Sequence, residues 1–129
     1  MNPISEKPLI DKLGVKVDHR ATVIGVDDAE FLAALESRCG AGSRRLRQET
    51  DILFFGAESR TDLARLAKLI PSLKQDGAVW VIYPKGVKPI TEANVREAGI
   101  AAGLVDNKIV RFSATHTGLR FVIPVARRR

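Results

Sequence analysis

Apolar positions along this chain fall into two patterns. The run Ala78-Val79-Trp80-Val81-Ile82-Tyr83 has no polar break, follows Gly77 and is stopped by Pro84-Lys85-Gly86. A strand wet on one face alternates polar and apolar residues, so an unbroken run of this composition predicts a strand covered on both faces. Asp51-Ile52-Leu53-Phe54-Phe55-Gly56 is a second such run one helix-length earlier, and Ala21-Thr22-Val23-Ile24-Gly25-Val26 is the first strand of the chain. Between them the spacing becomes helical. Phe31, Leu32 and Leu35 predict a helix over 28–38, opened by Asp27-x-x-Glu30 in the form of a capping box and stopped by Cys39-Gly40. Leu63, Leu66, Ala67 and Ile70 recur at helical spacing after Ser59 and Asp62, and Pro71 ends that element. Two buried strands with a helix between them make a parallel unit with a right-handed crossover.

The flanks extend the pattern. Residues 8–13 predict a short lead-in helix ended by Gly14, with a turn over 15–19. Thr91 caps a helix that turns Val95, Ala98 and Ala102 inward and ends at Gly103. The strands 108–113 and 118–123 are joined by Ala114-Thr115-His116-Thr117, too short for anything but a hairpin, so the last strand runs against the others. Ser43 to Gln48 looks extended, yet only Glu49 and Thr50 separate it from the next strand, whereas a parallel crossover takes about a dozen residues. It is an antiparallel edge or a crossing loop. Gly40-Ala41-Gly42-Ser43 follows a helix and not a strand, the wrong context for a phosphate loop. With no repeat or linker, the expectation is one α/β domain over 1–126 and a solvated basic tail at 127–129.

Composition narrows the class. At 129 residues the chain can bury a core without metals or disulfides, and its one cysteine, Cys39, cannot form an internal bridge. No apolar run reaches the roughly 18 residues of a membrane span, and the start has no signal-peptide core, so a soluble cytoplasmic protein without membrane partners is expected. The net charge of +6 is carried at one end: from Asn107 onward there are six of the 21 basic residues and none of the 15 acidic ones. The rest of the chain is neutral.

The order strand, helix, strand, helix, strand, helix, hairpin resembles the latter part of class I S-adenosylmethionine methyltransferases, whose sheet also ends with one reversed strand. The stretch from Leu13-Gly14 through Asp18-His19 to Val23-Ile24-Gly25 looks like their approach to strand one. More closely, Lys12-Leu13-Gly14, Asp51 to Phe55, Trp80 to Lys85, Gly103-Leu104-Val105-Asp106-Asn107-Lys108 and Gly118-Leu119-Arg120 are similar to a family of small uncharacterised bacterial proteins. The resemblance covers most of the chain. It implies a three-layer, Rossmann-like, mostly parallel sheet and no activity. Those methyltransferases follow strand one with a glycine-rich turn that admits the cofactor; here Gly25 is followed by Val26-Asp27-Asp28, which crowd that approach and would repel the cofactor's carboxylate. Glu49 lies at a plausible distance for a ribose contact, but the shortened connection argues against it. No cofactor is expected.

Ligands of open parallel sheets bind beyond the carboxyl ends of the strands, which makes Asp27, Asp28, Ser59, Arg60, Tyr83, Lys85, Thr115 and His116 the candidates, all at one rim. Each has a plainer role available: Asp27 and Ser59 as helix caps, Lys85 as a turn residue, His116 as an exposed hairpin tip without a visible nucleophile. Asp106, Asn107 and Lys108 belong to a turn at the opposite edge. His19, His116 and Cys39 are too scattered for a metal site. Pairing Ser113 with Gly118 would place Arg111 opposite Arg120, a like-charged pair that calls for an acidic neighbour or a bound anion. The leading reading is a non-catalytic binding or interaction module. Its rivals are an enzyme for a small anionic metabolite using His116, Lys85 and Asp27, and a nucleic-acid contact through Arg44, Arg45, Arg47 and the terminal arginines, disfavoured because no aromatic residue interleaves with them. A partner chain or second copy covering an exposed sheet edge is the last.

Overall fold

The run at 78–83 forms the middle of β3 (Leu73–Pro84), the third strand of a five-stranded sheet. The computed structural model describes residues 7–129. Residues 1–6, the first part of the expected domain and of the start without a signal-peptide core, lie outside the described residues. The other strands are β1 (Ala21–Ile24), β2 (Thr50–Gly56), β4 (Val105–Arg111) and β5 (His116–Val122), in the order β1-β2-β3-β5-β4. β1, β2 and β3 are parallel, and β5 is antiparallel to both β3 and β4. One reversed strand therefore sits inside an otherwise parallel sheet.

The helices are α1 (Leu9–Lys12), α2 (Ala29–Cys39), α3 (Arg60–Leu63), α4 (Leu66–Leu69) and α5 (Glu92–Ala101). They form the outer layers of a three-layer sandwich. Val79, Val81 and Tyr83 pack with Leu53, Phe55, Leu119 and Phe121 beneath α3, α4 and α5, while Trp80 and Ile82 pack with Val23, Ile52 and Phe54 beneath α1 and α2. This is why the β3 run has no alternation: both faces are covered, and Val79, Trp80 and Val81 are each 0% exposed. The buried indole N–H of Trp80 donates to the carbonyl of Leu13 at 3.0 Å. At α5, the capping box is Thr91 with Asn94, as the expected cap requires. Asp51 fastens the other end of the sheet: its carboxylate accepts from Arg20 N at 2.7 Å, just ahead of β1, and pairs with Lys74 of β3 at 3.1 Å.

Several expectations are corrected. The helix after Ser59 breaks into α3, α4 and a 3₁₀ turn at Ile70–Ser72, because Arg65 N and Lys68 N bond to the carbonyls three residues back. Leu63, Leu66 and Leu69, all buried, recur at three residues and so suit the tighter winding. The cap of α2 is Asp28, which accepts from Phe31 N at 2.9 Å, and not Asp27, which pairs with Arg44 at 2.7 Å. Over 40–48 the chain is a crossing loop with one parallel bridge, Ser43 to Thr22, and no antiparallel edge. That bridge covers the outer side of β1, with Val23 N donating to Ser43 O at 2.8 Å and Arg47 donating to Ala21 O at 2.7 Å. The open edge of the sheet is instead β4, where Val105 and Ile109 are 43% and 46% exposed.

The hairpin register also differs. Arg111 faces Thr117, and it is Lys108 that stands opposite Arg120, a shift of three residues from the expected pairing. The loop sets this: Phe112 N and Ser113 N both donate to His116 O, and Ser113 Oγ accepts from Thr115 N and His116 N, closing the turn three positions earlier. Three residues along a strand is an odd number, so Arg111 and Lys108 lie on opposite faces. Asp106, Asn107 and Lys108, expected in a turn, are within β4, where the pairing slips between Asp106 and Lys108. The terminal arginines, expected to be solvated, make contacts: Arg128 Nε donates to Ile123 O at 2.9 Å and Arg129 N to Gln75 Oε1 at 3.0 Å.

Candidate functional site

The carboxyl ends of β1, β2 and β3 and the start of β5 surround a cavity of about 350 Å³. Its floor is backbone. Gly25 has a φ of +76°, a conformation that glycine adopts without cost, and a Cβ on Gly56 would lie 2.2 Å from the Gly25 carbonyl oxygen. Ile82 and Phe112 supply the apolar wall, and Asp27, Asp28, Glu58, Ser113, Thr115 and His116 the polar one.

The polar groups are connected. His116, the first residue of β5, has Nε2 2.8 Å from Glu58 Oε2 and Nδ1 2.8 Å from Thr115 Oγ1. An ionised carboxylate only accepts, so with the ring neutral Nε2 carries the proton and Nδ1 accepts from the threonine hydroxyl. The result is a carboxylate, imidazole, hydroxyl chain at the cavity wall, the arrangement in which an imidazole can take a proton from a hydroxyl while the carboxylate holds its tautomer. Glu58 was not read from the sequence as a site residue. Its signal was its place two residues beyond the end of β2, the same rule that selected Ser59 and Arg60.

Of the expected residues, Asp27, Asp28, Thr115 and His116 meet in this cavity. Ser59 does not: it caps α3 by accepting from Asp62 N at 3.2 Å. Arg60 lies along a groove between α3 and α5, its Nε donating to Pro89 O at 3.4 Å. Lys85 lines a separate recess with Tyr83 and Thr91, and only its backbone N–H reaches toward the site, donating to Thr115 O at 3.0 Å. Burial pushes the Tyr83 phenol above its ordinary pKa, with the Glu92 charge adding to the effect. The constellation His116, Lys85 and Asp27 is thus divided between two cavities. Glu49 immediately precedes β2, at the opposite end of the sheet from the rim. Among the described residues no three His, Cys, Asp or Glu side chains converge as metal ligands.

Electrostatics distinguish this cavity. Three carboxylates line it, Asp27, Asp28 and Glu58, and no lysine or arginine does. A small anionic metabolite at this rim was a rival reading of the sequence, and the lining offers it three carboxylates and no cationic side chain. Arg44 reaches Asp27 from outside the lining and also donates to Val26 O at 2.9 Å. With Arg47 and Arg128 likewise tied to backbone carbonyls, three of the six arginines considered for nucleic acid have their heads committed within the fold.

The strand order, the helices on both faces and the rim cavity define an α/β, Rossmann-like fold of the class I methyltransferase type. Solved structures agree. An S-adenosylmethionine-dependent methyltransferase from Aquifex aeolicus superposes with a TM-score of 0.68 at 13% identity, covering 89% of this chain and 88% of that one. The pyocyanin biosynthetic protein PhzM gives 0.63 at 13% identity, over 87% of this chain and 52% of its own. The O-methyltransferase NcsB1 from neocarzinostatin biosynthesis, solved in complex with S-adenosylmethionine and 2-hydroxy-5-methyl naphthoic acid, gives 0.60 at 14% identity, over 81% and 49%. No protein-family model matches. The chain belongs to the family of the uncharacterised mycobacterial proteins Rv2239c of Mycobacterium tuberculosis and Mb2263c of Mycobacterium bovis, each 31% identical over 127 residues that cover 90% of this chain and 78% of the relative. No helix of the described residues is long and apolar enough to cross a membrane.

Proposed function

We propose that this chain is a cytoplasmic, non-catalytic ligand-binding module whose rim cavity takes a small neutral or cationic molecule bearing hydroxyl or amine groups. The observation that carries this reading is the lining itself: Asp27, Asp28 and Glu58 offer acceptors, and no lysine or arginine lines the cavity, Arg44 reaching only Asp27 of the three and from outside it. The volume, about 350 Å³, lies near the lower end of ligand sites, which span roughly 300–1,000 Å³, so the ligand is small. S-adenosylmethionine, present in the NcsB1 complex, suits this chain poorly. Asp27 and Asp28 stand two and three residues after Gly25, and a bound amino-acid carboxylate would meet their charge. Nucleic acid is not expected as a partner.

A thermal-shift and calorimetric screen of adenosine, S-adenosylmethionine, polyols, small amines and phosphorylated metabolites tests this. A ligand at a hundred times its dissociation constant stabilises by about 2.7 kcal/mol. A polyol or amine should produce such a shift, and Glu58→Gln should abolish it. Strong stabilisation by S-adenosylmethionine, removed by Gly25→Val, would overturn the choice.

A second reading, an enzyme, draws on one observation: the unbroken contacts from Glu58 through His116 to Thr115. Such a chain serves proton transfer at a bound hydroxyl. Turnover of any screened ligand that His116→Ala abolishes, with its binding retained, would favour it.

A further inference from the structure

A further cavity lies on the α1 face of the sheet, away from the rim. It measures about 420 Å³, and its polar lining is Lys12, Lys16, Asn107, Lys108 and Arg120 over an apolar floor of Leu13 and Trp80. Every charged residue lining it is basic.

Lys108 and Arg120 are directly paired across β4 and β5 and so share a face, an arrangement of like charges that destabilises a sheet unless something neutralises it. Four cations elsewhere in the fold are paired with acids: Arg38, Arg44, Lys74 and Arg96 each have a carboxylate within ion-pair distance. Among the described residues none of Lys12, Lys16, Lys108 and Arg120 has one. Burial holds the Arg120 guanidinium below its ordinary pKa.

The geometry also leaves donors pointing outward. Asn107, inserted where the β4 register slips, accepts from Arg120 Nη1 at 3.1 Å; this fixes the guanidinium plane and uses one of its five N–H groups. Lys108 Nζ donates to Lys12 O at 3.0 Å, which leaves two of its three N–H groups. That contact and the bond from Trp80 to Leu13 O occupy the carbonyls at the end of α1, the negative pole that would otherwise oppose an anion.

We propose that this cavity binds the phosphate group of a small phosphorylated molecule, with Arg120 and Lys108 as the principal contacts, Lys12 and Lys16 closing the outer side, and Asn107 orienting Arg120. The anion expected from sequence at Arg111 and Arg120 is retained at Arg120 with different companions.

Titrations of inorganic phosphate, pyrophosphate and glycerol phosphate into the full chain, with chloride holding ionic strength constant, test this by calorimetry and thermal shift. Each should stabilise beyond the chloride control. Arg120→Gln should weaken binding about tenfold, the effect of losing a charge-assisted contact. Lys16→Gln, at an exposed position that folding does not need, should weaken it several-fold. Glu58→Gln, which should abolish the response to rim ligands, should leave the phosphate response as it is, so failure here is distinguishable from failure of the rim reading. A response no greater than chloride, or one unaltered in both the Arg120 and Lys16 variants, would overturn the proposal. So would a single-stranded oligonucleotide binding more tightly than pyrophosphate, since that marks a polymer-backbone surface.

Discussion

Gly25 and Gly56 bring the ends of β1 and β2 into backbone contact: a Cβ on Gly56 would stand 2.2 Å from the carbonyl oxygen of Gly25. No real Cβ tolerates that distance, so Gly56→Ala must part the two strands at the floor of the rim cavity. The expected cost is about 1–3 kcal/mol, the range of overpacked sites. Urea unfolding measures it. Gly25→Ala adds the strain of an alanine at φ +76°, with its Cβ 3.2 Å from Gly56 O, and should be less stable than wild type too.

Gly99 in α5 makes a similar prediction against the general trend. Replacing a helical glycine with alanine ordinarily stabilises by about 0.5–1 kcal/mol. Here the new Cβ would lie 2.1 Å from the ring of Phe121, which is fully buried. Gly99→Ala should therefore destabilise by about 1–3 kcal/mol, and Gly99→Ala with Phe121→Leu should recover part of the loss. A double-mutant cycle in urea reads the coupling directly.

The pair Glu58 and His116 should matter to binding and little to folding. Both side chains are partly exposed, and pairs of that kind contribute about 0.2–1 kcal/mol. Glu58→Gln and His116→Ala should each melt close to wild type while changing the response to rim ligands. A variant that failed to fold would assign the pair a structural role instead.

Asp51 predicts the acid limb of stability. Burial alone would raise its pKa, but the Arg20 N–H and Lys74 outweigh it and hold the carboxyl below the usual value, about 3.9 for an aspartate. A depressed pKa in the folded state stabilises above the unfolded value and is lost as pH falls through the folded one. Stability should therefore decline below about pH 4, and Asp51→Asn should be less stable at neutral pH with a shallower decline on the acid side. Melting temperatures from pH 2 to 7 give both slopes.

The layers of this protein were legible in its sequence because burial on two faces or one leaves a local mark. The unbroken apolar residues of β3 and β2, the cap at Thr91 and the short hairpin each state their surroundings within a few residues, and together they require a parallel sheet with one reversed strand. What remained hidden depends on residues far apart in the chain. Glu58 meets His116 only because β2 ends and β5 begins at the same rim on either side of β3, and no spacing in the sequence reports that. Ser113 tightens the hairpin and shifts the register by three, which exchanges Arg111 for Lys108 opposite Arg120 and so puts Lys108 beside it on the face beneath α1. Periodicity encodes which way a side chain faces, while register and strand order decide whom it meets. The main strands and the helices at 29–39 and 92–101 were therefore determined by the sequence alone, and the assembly of both candidate sites by tertiary structure.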